Sequence, residues 1–489
     1  MTSHTGTTLN REMLTGSADW EVTPDAPRDM PLMFDAEHAT SDLFRHLYVF
    51  EMANNHQGSL EHGLKIVKAM SRIARSRRIR AGVKLQYREL DSLIHPQYRD
   101  RKDHKHISRF LETRLTHEDF QILVEAIREE GLISIASPFD EPSVSLCIEH
   151  GVEILKIASC SADDWPLLEE AADSGRPLIV STGGLDIWDI DRIVSFLSHK
   201  QCRFALMHCV ALYPTPSQAA EMHFLDKLRK RYPGVSIGYS GHEAPDNLDL
   251  VRISVAKGAQ LLERHVGLPT DTIKLNAYSM DPEQVDVWVE ASQQSRAGCG
   301  QPGRKAITEA EVESLRSLKR GVYAGRNILA GEPLVLEDVF FAMPCQEGQV
   351  TSGAFGRYRA AFVASRDYRA GDAILEQARP DQISRVRAVI HDVKGMLHEA
   401  QIAVGRDFEI ELSHHYGIEH FRRVGAVIIN MVNRTYCKKL VIVLPGQYHP
   451  SHYHRLKEET FQLLWGDLEM TVEHCTRRLR RGETVLIKP

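Results

Sequence analysis

Eight short apolar runs between Leu47 and His265, each ending on a polar or charged residue, constrain what this chain can fold into. They read LYVFE (47–51), GVKLQ (82–86), LISIAS (132–137), EILKIAS (153–159), PLIVST (177–182), RFALMH (203–208), VSIGYS (235–240) and AQLLERH (259–265). Amphipathic, helix-like stretches such as SLEHGLKIVKAMSRIAR and DNLDLVRISVAKG separate most of them. Strands alternating with helices imply a parallel sheet, and eight such units imply an α/β fold closed as a (β/α)8 TIM barrel. In that architecture the C-terminal strand ends form the reactive face. Here those ends present Glu51, Lys84, Gln86, Ser137, Lys156, Ser159, Ser181, Thr182, His208, His242, Glu263 and His265. Packing alone does not call for so many acids, cations and imidazoles in one place, so the chain reads as an enzyme.

At 489 residues the chain has room for about three domains of roughly 150 residues each. A content of 43% hydrophobic and 26% charged residues is that of a globular protein, and a net charge of −6 points to neither a nucleic-acid nor a membrane partner. No apolar stretch approaches the roughly 20 residues that span a bilayer, and MTSHTGTTLNREML lacks the layout of a signal peptide. The eight cysteines are scattered without paired spacing, which suits reduced thiols and a cytoplasmic location.

Residues 1–40 read as a loosely ordered lead-in, 41–295 as the barrel, and 296–315, containing AGCGQPGRKAITEAE, as a linker. An internal repeat follows, VYAGRNILAGEPLV (322–335) and FVASRDYRAGDAIL (362–375), which predicts a small β-rich domain over 316–380. The last segment, 385–489, is again β-rich and holds a dense polar cluster from Gly446 to Gly466. His452 and His454 alternate along a predicted strand, so both imidazoles share one face, and Glu459 follows a short turn later. Two imidazoles and a carboxylate on one face suit a divalent metal; solvated edge-strand residues are the competing reading.

At the barrel mouth, His242 and His265 close the segments GYSGHE and LLERH on neighbouring strands, an arrangement that suits a shared divalent cation. Lys84 and Lys156 lie inside apolar runs; an ammonium buried there without a partner calls for an anion. Ser137, Ser159, Ser181 and Thr182 add short hydroxyls, and Thr182-Gly183-Gly184 permits close backbone approach, so the set predicts a phosphate and carboxylate cradle. Each serine taken singly also reads as a helix cap. Glu51 is a candidate general base, with pairing to Lys84 or Lys156 as the alternative.

These segments resemble the sialic acid (N-acetylneuraminate) synthase family with its C-terminal antifreeze-like (SAF) domain. The resemblance covers roughly 45–380 and rests on EMANNHQGSL, VKLQ, SPFDEPSV, the KIAS run followed by PLLEEAADSGRPLIVSTGG, LMHCVALYPTP, GYSGHE, LLERHVGL and YSMDPEQ. It implies a transferase that condenses phosphoenolpyruvate with an N-acyl hexosamine-type aldehyde to give a nonulosonic 2-keto acid and phosphate. It implies that His242 and His265 hold Mn²⁺, or Mg²⁺ or Co²⁺ in its place, and that Glu51 activates or places water. Lys84, Ser137, Lys156 and Ser181 would bind phosphoenolpyruvate, with Tyr213 and Asn55 near the sugar and Gln86 and Ser159 in the same substrate-binding set. It further implies a homodimer with the SAF domain laid over the partner barrel.

The chain departs from the family pattern at several points. Ser159-Cys160-Ser161 replaces the usual Ser-Gly-Glu, whose Glu is a candidate proton carrier. Ile273-Lys274-Leu275-Asn276 replaces a Gly-Pro-Asp segment, with Asn276 as a substitute polar contact. Val210-Ala211 replaces the polar pair after His-Cys. The SAF turn that donates an Arg reads Phe341-Ala342-Met343-Pro344, so Met343 stands where the Arg is expected. The metal and phosphate ends look kept and the sugar end changed, which favours a different sialic-acid-like product. A metal-dependent aldolase or sugar isomerase on the same barrel, or a non-catalytic sugar-binding protein, are the other readings; phosphate release separates the first from the synthase.

The cluster from Gly446 also resembles the first cupin motif, through His452, His454, Glu459 and Gly466, and implies a second divalent metal. The His of the second cupin motif is not matched before Pro489.

Overall fold

The computed structural model describes residues 43–99, 104–301, 303, 306–356, 361–378, 381–414, 416–451 and 457–488. The lead-in at 1–40 and the pair His452 and His454 lie outside these residues. The chain divides into two compact units, Met1–Arg304 and Lys305–Pro489.

In the first unit eight parallel strands close into a (β/α)8 TIM barrel: β1 (Leu47–Glu51), β2 (Arg80–Tyr87), β3 (Ile133–Pro138), β4 (Ile154–Ile157), β5 (Leu178–Ser181), β6 (Phe204–His208), β7 (Ser236–Gly241) and β8 (Leu261–His265). The seam is regular, with Leu47 opposite Leu261 and Glu51 opposite His265. Helices follow the strands, from Leu60–Arg77 after β1 to Pro282–Cys299 after β8. Their starts are encoded locally. Ser59 accepts the His62 amide, and Thr116 with Asp119, Asp186 with Asp189 and Asp281 with Gln284 form capping boxes.

Because side chains alternate across a strand, each run splits into two sets. Tyr48 and Phe50, Val83 and Leu85, Leu155 and Ile157 join the large core between sheet and helices. Leu47, Val49, Ile135, Ile154, Ile179 and Leu261 fill the barrel interior. Two glycines make room there: a Cβ on Gly238 would stand 2.5 Å from Cγ of Leu261, and one on Gly82 would stand 2.8 Å from Cδ1 of Ile135. Toward the C-terminal end the same inward register changes to Glu51, Lys84, Gln86, Ser137, Lys156, Ser181, Ser240, Glu263 and His265.

The second unit opens with the helix Glu309–Arg316, so part of the stretch expected as linker is helical. β9 (Gly321–Ala324) and β10 (Val339–Ala342) pair antiparallel. The two repeat copies then bind each other reciprocally. Ile328 and Tyr368 exchange backbone hydrogen bonds of 2.9 and 2.8 Å. Asn327 Oδ1 accepts from the Ala370 amide at 3.0 Å, and Asp367 Oδ1 accepts from the Ala330 amide at 2.8 Å. Equivalent residues of both copies, Val322 and Phe362, Ile328 and Tyr368, Leu334 and Ile374, make one shared core.

The helix Gln382–Glu399 was not expected from the sequence. It buries Val389 and Val393 against Phe421, Val427, Ile429 and Ile442. The sheet beneath it has the order β11 (Glu409–Ser413), β12 (Ala426–Asn433), β13 (Cys437–Ile442). Two further antiparallel pairs follow, β14 (Glu459–Gln462) with β17 (Thr484–Ile487) and β15 (Leu468–Val472) with β16 (Cys475–Leu479). Glu459 opens β14 and pairs with Lys457.

Candidate active site

The C-terminal mouth of the barrel gathers a buried network of opposite charges. Glu51 at the end of β1 pairs with Lys84 of β2. Lys84 Nζ also lies 2.9 Å from Oε1 of Glu263 on β8. From the far side of the barrel, Lys156 of β4 donates to Oε1 and Oε2 of Glu263 at 2.9 and 2.8 Å, and the Ser240 hydroxyl donates to Oε1 at 2.9 Å. Gln86 Nε2 donates to Oε1 of Glu51 at 3.2 Å.

Two carboxylates thus face two ammoniums in a site whose members are almost fully buried. Although burial pushes the Glu263 carboxyl up, Lys156 and Lys84 hold it well below the usual carboxylate range. Burial lowers Lys84 to about 7 against the pull of Glu263, so this ammonium sits close to its titration point near neutral pH.

This geometry corrects one sequence expectation. The lysines do not stand unneutralised: Lys84 takes the pairing with Glu51 that the sequence left open, and Glu263 pairs with both Lys84 and Lys156. Glu263 supplies most of the compensation, and its role went unassigned because the run LLERH offers two adjacent charges. Alternation decides between them. Glu263 points inward, whereas Arg264 is buried on the outer side, 2.7 Å from Oε1 of Glu243.

His242, just past β7, and His265, ending β8, lie with ring centroids 5.3 Å apart. Burial lowers His242 to about 4 and, with the neighbouring charges of His242 and Lys84, takes His265 well below its usual value. Both imidazoles are therefore neutral at neutral pH, the form that ligates metal. His242 Nδ1 lies 3.3 Å from the Val210 carbonyl, which selects the Nδ1–H tautomer and leaves Nε2 as the nitrogen that could hold a metal. The pair fits a divalent cation. Among the described residues no cluster of three or more His, Cys, Asp or Glu is disposed to hold one, so coordination positions would stay open to water or substrate.

The remaining predicted residues sort by what they touch. Ser137 and Ser181 are buried on the inward register. The Ser159 hydroxyl lies 3.0 Å from Cys209 Sγ and accepts from the Gly183 amide at 3.2 Å, which ties the loops after β4 and β5 together. Asn55 donates to the Val266 carbonyl at 2.8 Å and to the Ser279 hydroxyl at 3.1 Å; its amide holds the loop after β8. Asn276 caps the turn in that loop by accepting from the amides of Tyr278 and Ser279 at 3.1 and 2.8 Å. The loop so held presents Tyr278, which sequence reasoning missed although YSMDPEQ was noticed. Its ring centroid is 5.1 Å from His265 and 5.2 Å from Tyr213, and the Tyr213 ring is 4.5 Å from His242. His208 belongs elsewhere: its Nε2 bonds the Ala220 carbonyl at 2.9 Å on the outer wall.

The sequence model described as the NeuB family matches residues 75–303. A solved candidate spore coat polysaccharide biosynthesis protein E from Chromobacterium violaceum is 44% identical, covering 68% of this chain and 98% of that one with a TM-score of 0.66. N-acetylneuraminate-9-phosphate synthase of Drosophila melanogaster is 26% identical over 60% of this chain and 85% of its own length. Pseudaminic acid synthase of Campylobacter jejuni is 25% identical over 67% of this chain and 95% of its own length.

Proposed function

The chain belongs to the NeuB family, and on that premise we propose that it is a phosphoenolpyruvate-dependent synthase acting on an N-acyl hexosamine-type aldehyde sugar. The products are a nonulosonic, sialic-acid-like 2-keto acid and phosphate. One observation carries this reading: a buried Lys/Glu network and two neutral imidazoles share a single barrel mouth.

Lys84, Ser137, Lys156 and Ser181 take the carboxylate and phosphate of phosphoenolpyruvate, exchanging ion pairs with Glu51 and Glu263 for substrate oxyanions. No ammonium has to be desolvated for that exchange, because the charges are already buried and oriented. His242 and His265 would hold Mn²⁺, Mg²⁺ or Co²⁺, which would polarise the aldehyde carbonyl of the acceptor. The methylene carbon of phosphoenolpyruvate then bonds to the aldehyde carbon. The former aldehyde oxygen takes up a proton to become a hydroxyl. Water adds at the neighbouring carbon as Glu51, released from Lys84, takes one of its protons. As the added hydroxyl loses its remaining proton to become the keto oxygen, the carbon–oxygen bond to phosphate breaks. Tyr213 and Tyr278 wall the acceptor, while Asn55 and Asn276 act on it by fixing the loop that carries Tyr278.

The repeat unit at 316–380 is proposed as a SAF domain that covers the partner barrel in a homodimer, and the segment at 385–489 as a cupin-like domain with His452, His454 and Glu459 as its candidate second metal site. A cytoplasmic location suits phosphoenolpyruvate as substrate.

The deciding measurement mixes the protein with phosphoenolpyruvate, Mn²⁺ and a panel of N-acylated amino-sugar aldehydes. Phosphate should appear only when all are present, and chelator should stop it. Failure to release phosphate with any acceptor would discard the synthase in favour of an aldolase, an isomerase or a sugar-binding protein.

A further inference from the structure

Gly82, Lys84 and Gln86 occupy the inward register of β2, and Arg88, one residue past the strand, bonds the inward Gln86. At about 3.3 Å per residue the end of β2 at Tyr87 stands roughly 10 Å from Lys84, so Arg88 lies above the predicted phosphoenolpyruvate cradle. Its guanidinium lies between two rings, 4.0 Å from the Phe110 centroid and 3.9 Å from that of Phe139. One edge nitrogen donates to Oε1 of Gln86 at 2.6 Å, and Gln86 in turn donates to Glu51. Nε is buried and has no hydrogen-bond partner.

No carboxylate forms an ion pair with Arg88 among the described residues. The acidic groups closest in effect are the Cys160 thiol and Asp140, and the oxygens of Asp140 are taken by the amides of Ser143 and Glu89 at 2.8 and 2.9 Å. A second guanidinium, Arg109 of the helix Lys105–Glu112, bonds the Asn54 carbonyl at 3.1 Å and likewise has no carboxylate partner among the described residues. Besides burial, the charges of Arg109 and Arg88 are what bring His56 down to about 4. Among the described residues this side of the mouth therefore holds two guanidiniums without an ion-paired carboxylate, unlike the balanced network below it. A cation held in that state costs stability unless something anionic completes it.

Resting on the synthase reading above, we propose that Arg88 determines acceptor choice by binding an anionic substituent, a carboxylate or a phosphate, carried by the acceptor sugar away from its aldehyde. The fork geometry of a guanidinium pinned by two aromatic faces matches two oxygens of such a group. Arg109 adds attraction over the same wall.

Steady-state kinetics with the Mn²⁺-loaded protein test this. Three acceptors are compared: a neutral N-acyl mannosamine-type sugar, its 6-phosphate and the matching uronate. The native protein should show its lowest KM with one of the two anionic sugars, and which one identifies the source of the charge. Arg88→Gln should raise that KM about 10- to 100-fold, so that discrimination against the neutral sugar collapses, with a much smaller change in the KM of phosphoenolpyruvate. Arg88→Lys keeps charge without the fork and should fall between; it also serves if Arg88→Gln fails to fold. A lower KM for the neutral sugar in the native protein overturns this inference alone, as does a rise in KM shared equally by all three acceptors. Absence of turnover with every acceptor removes the synthase reading and this inference with it.

Discussion

The two ends of the barrel interior are built from the same eight strands and the same inward register, yet they do opposite things. The lower layers carry Leu47, Val49, Ile135, Ile154, Ile179 and Leu261, which pack without polar atoms. The upper layers carry Glu51, Lys84, Lys156 and Glu263, which neutralise each other while out of water. Burial of charge is not itself stabilising. The apolar end holds the strands at fixed spacing, and the charged end can then keep an arrangement that awaits a substrate.

The sharpest way to break this contrast is to remove Glu263. Glu263→Ala leaves Lys156 without its carboxylate and Lys84 with only Glu51, and should lower stability by about 3–5 kcal/mol as well as abolish turnover. Denaturant unfolding at pH 7 checks it; an unchanged midpoint would mean that the network carries no coupled charge. At the other end, Leu261→Ala should lower stability by roughly 2–5 kcal/mol while turnover per folded molecule stays close to native. A large fall in turnover there would show that the two ends are not separable.

Glu51→Gln should leave the melting temperature within a few degrees but reduce turnover on the order of 100-fold, equivalent to about 2.7 kcal/mol at the transition state. Retention of native turnover would remove Glu51 as the proton acceptor. The smallest effect concerns His56 beside the cationic wall. Its folded-state value of about 4 lies below the usual 6.5, so the unfolded chain binds the extra proton first and stability falls as pH drops through that window. About 2 kcal/mol should be lost by pH 5, and His56→Gln should flatten the slope of stability between pH 7 and 5 by that amount. Parallel slopes for the two proteins would exclude His56 as the source.

Much of the barrel was legible in the chain because each strand combines a short apolar run with a polar terminus, and the structure places strands within a residue or two of those runs. Inward direction was legible for Glu51 and Lys84, where the charged residue stands alone in its run. It was not legible for Glu263 beside Arg264, where only the pairing of Ser240 with Glu263 across β7 and β8 fixes which one enters the barrel. Arg88 was hidden for a similar reason: it lies one residue past the strand, and its significance comes from Phe110 and Phe139, which are distant in sequence. The helix Gln382–Glu399 was passed over because the apolar β-like runs after it dominated the segment, although Val389 and Val393 show the four-residue spacing of one helical face.

Asn55, just past the first strand, grips the loop that follows the last one, and Glu51 stands beside His265 at that same closure. More than two hundred residues must therefore be synthesised before either half of the mouth meets the other. A nascent chain emerging from the ribosome has no partial version of this pocket to offer a metabolite. The mouth is complete only when the ring shuts.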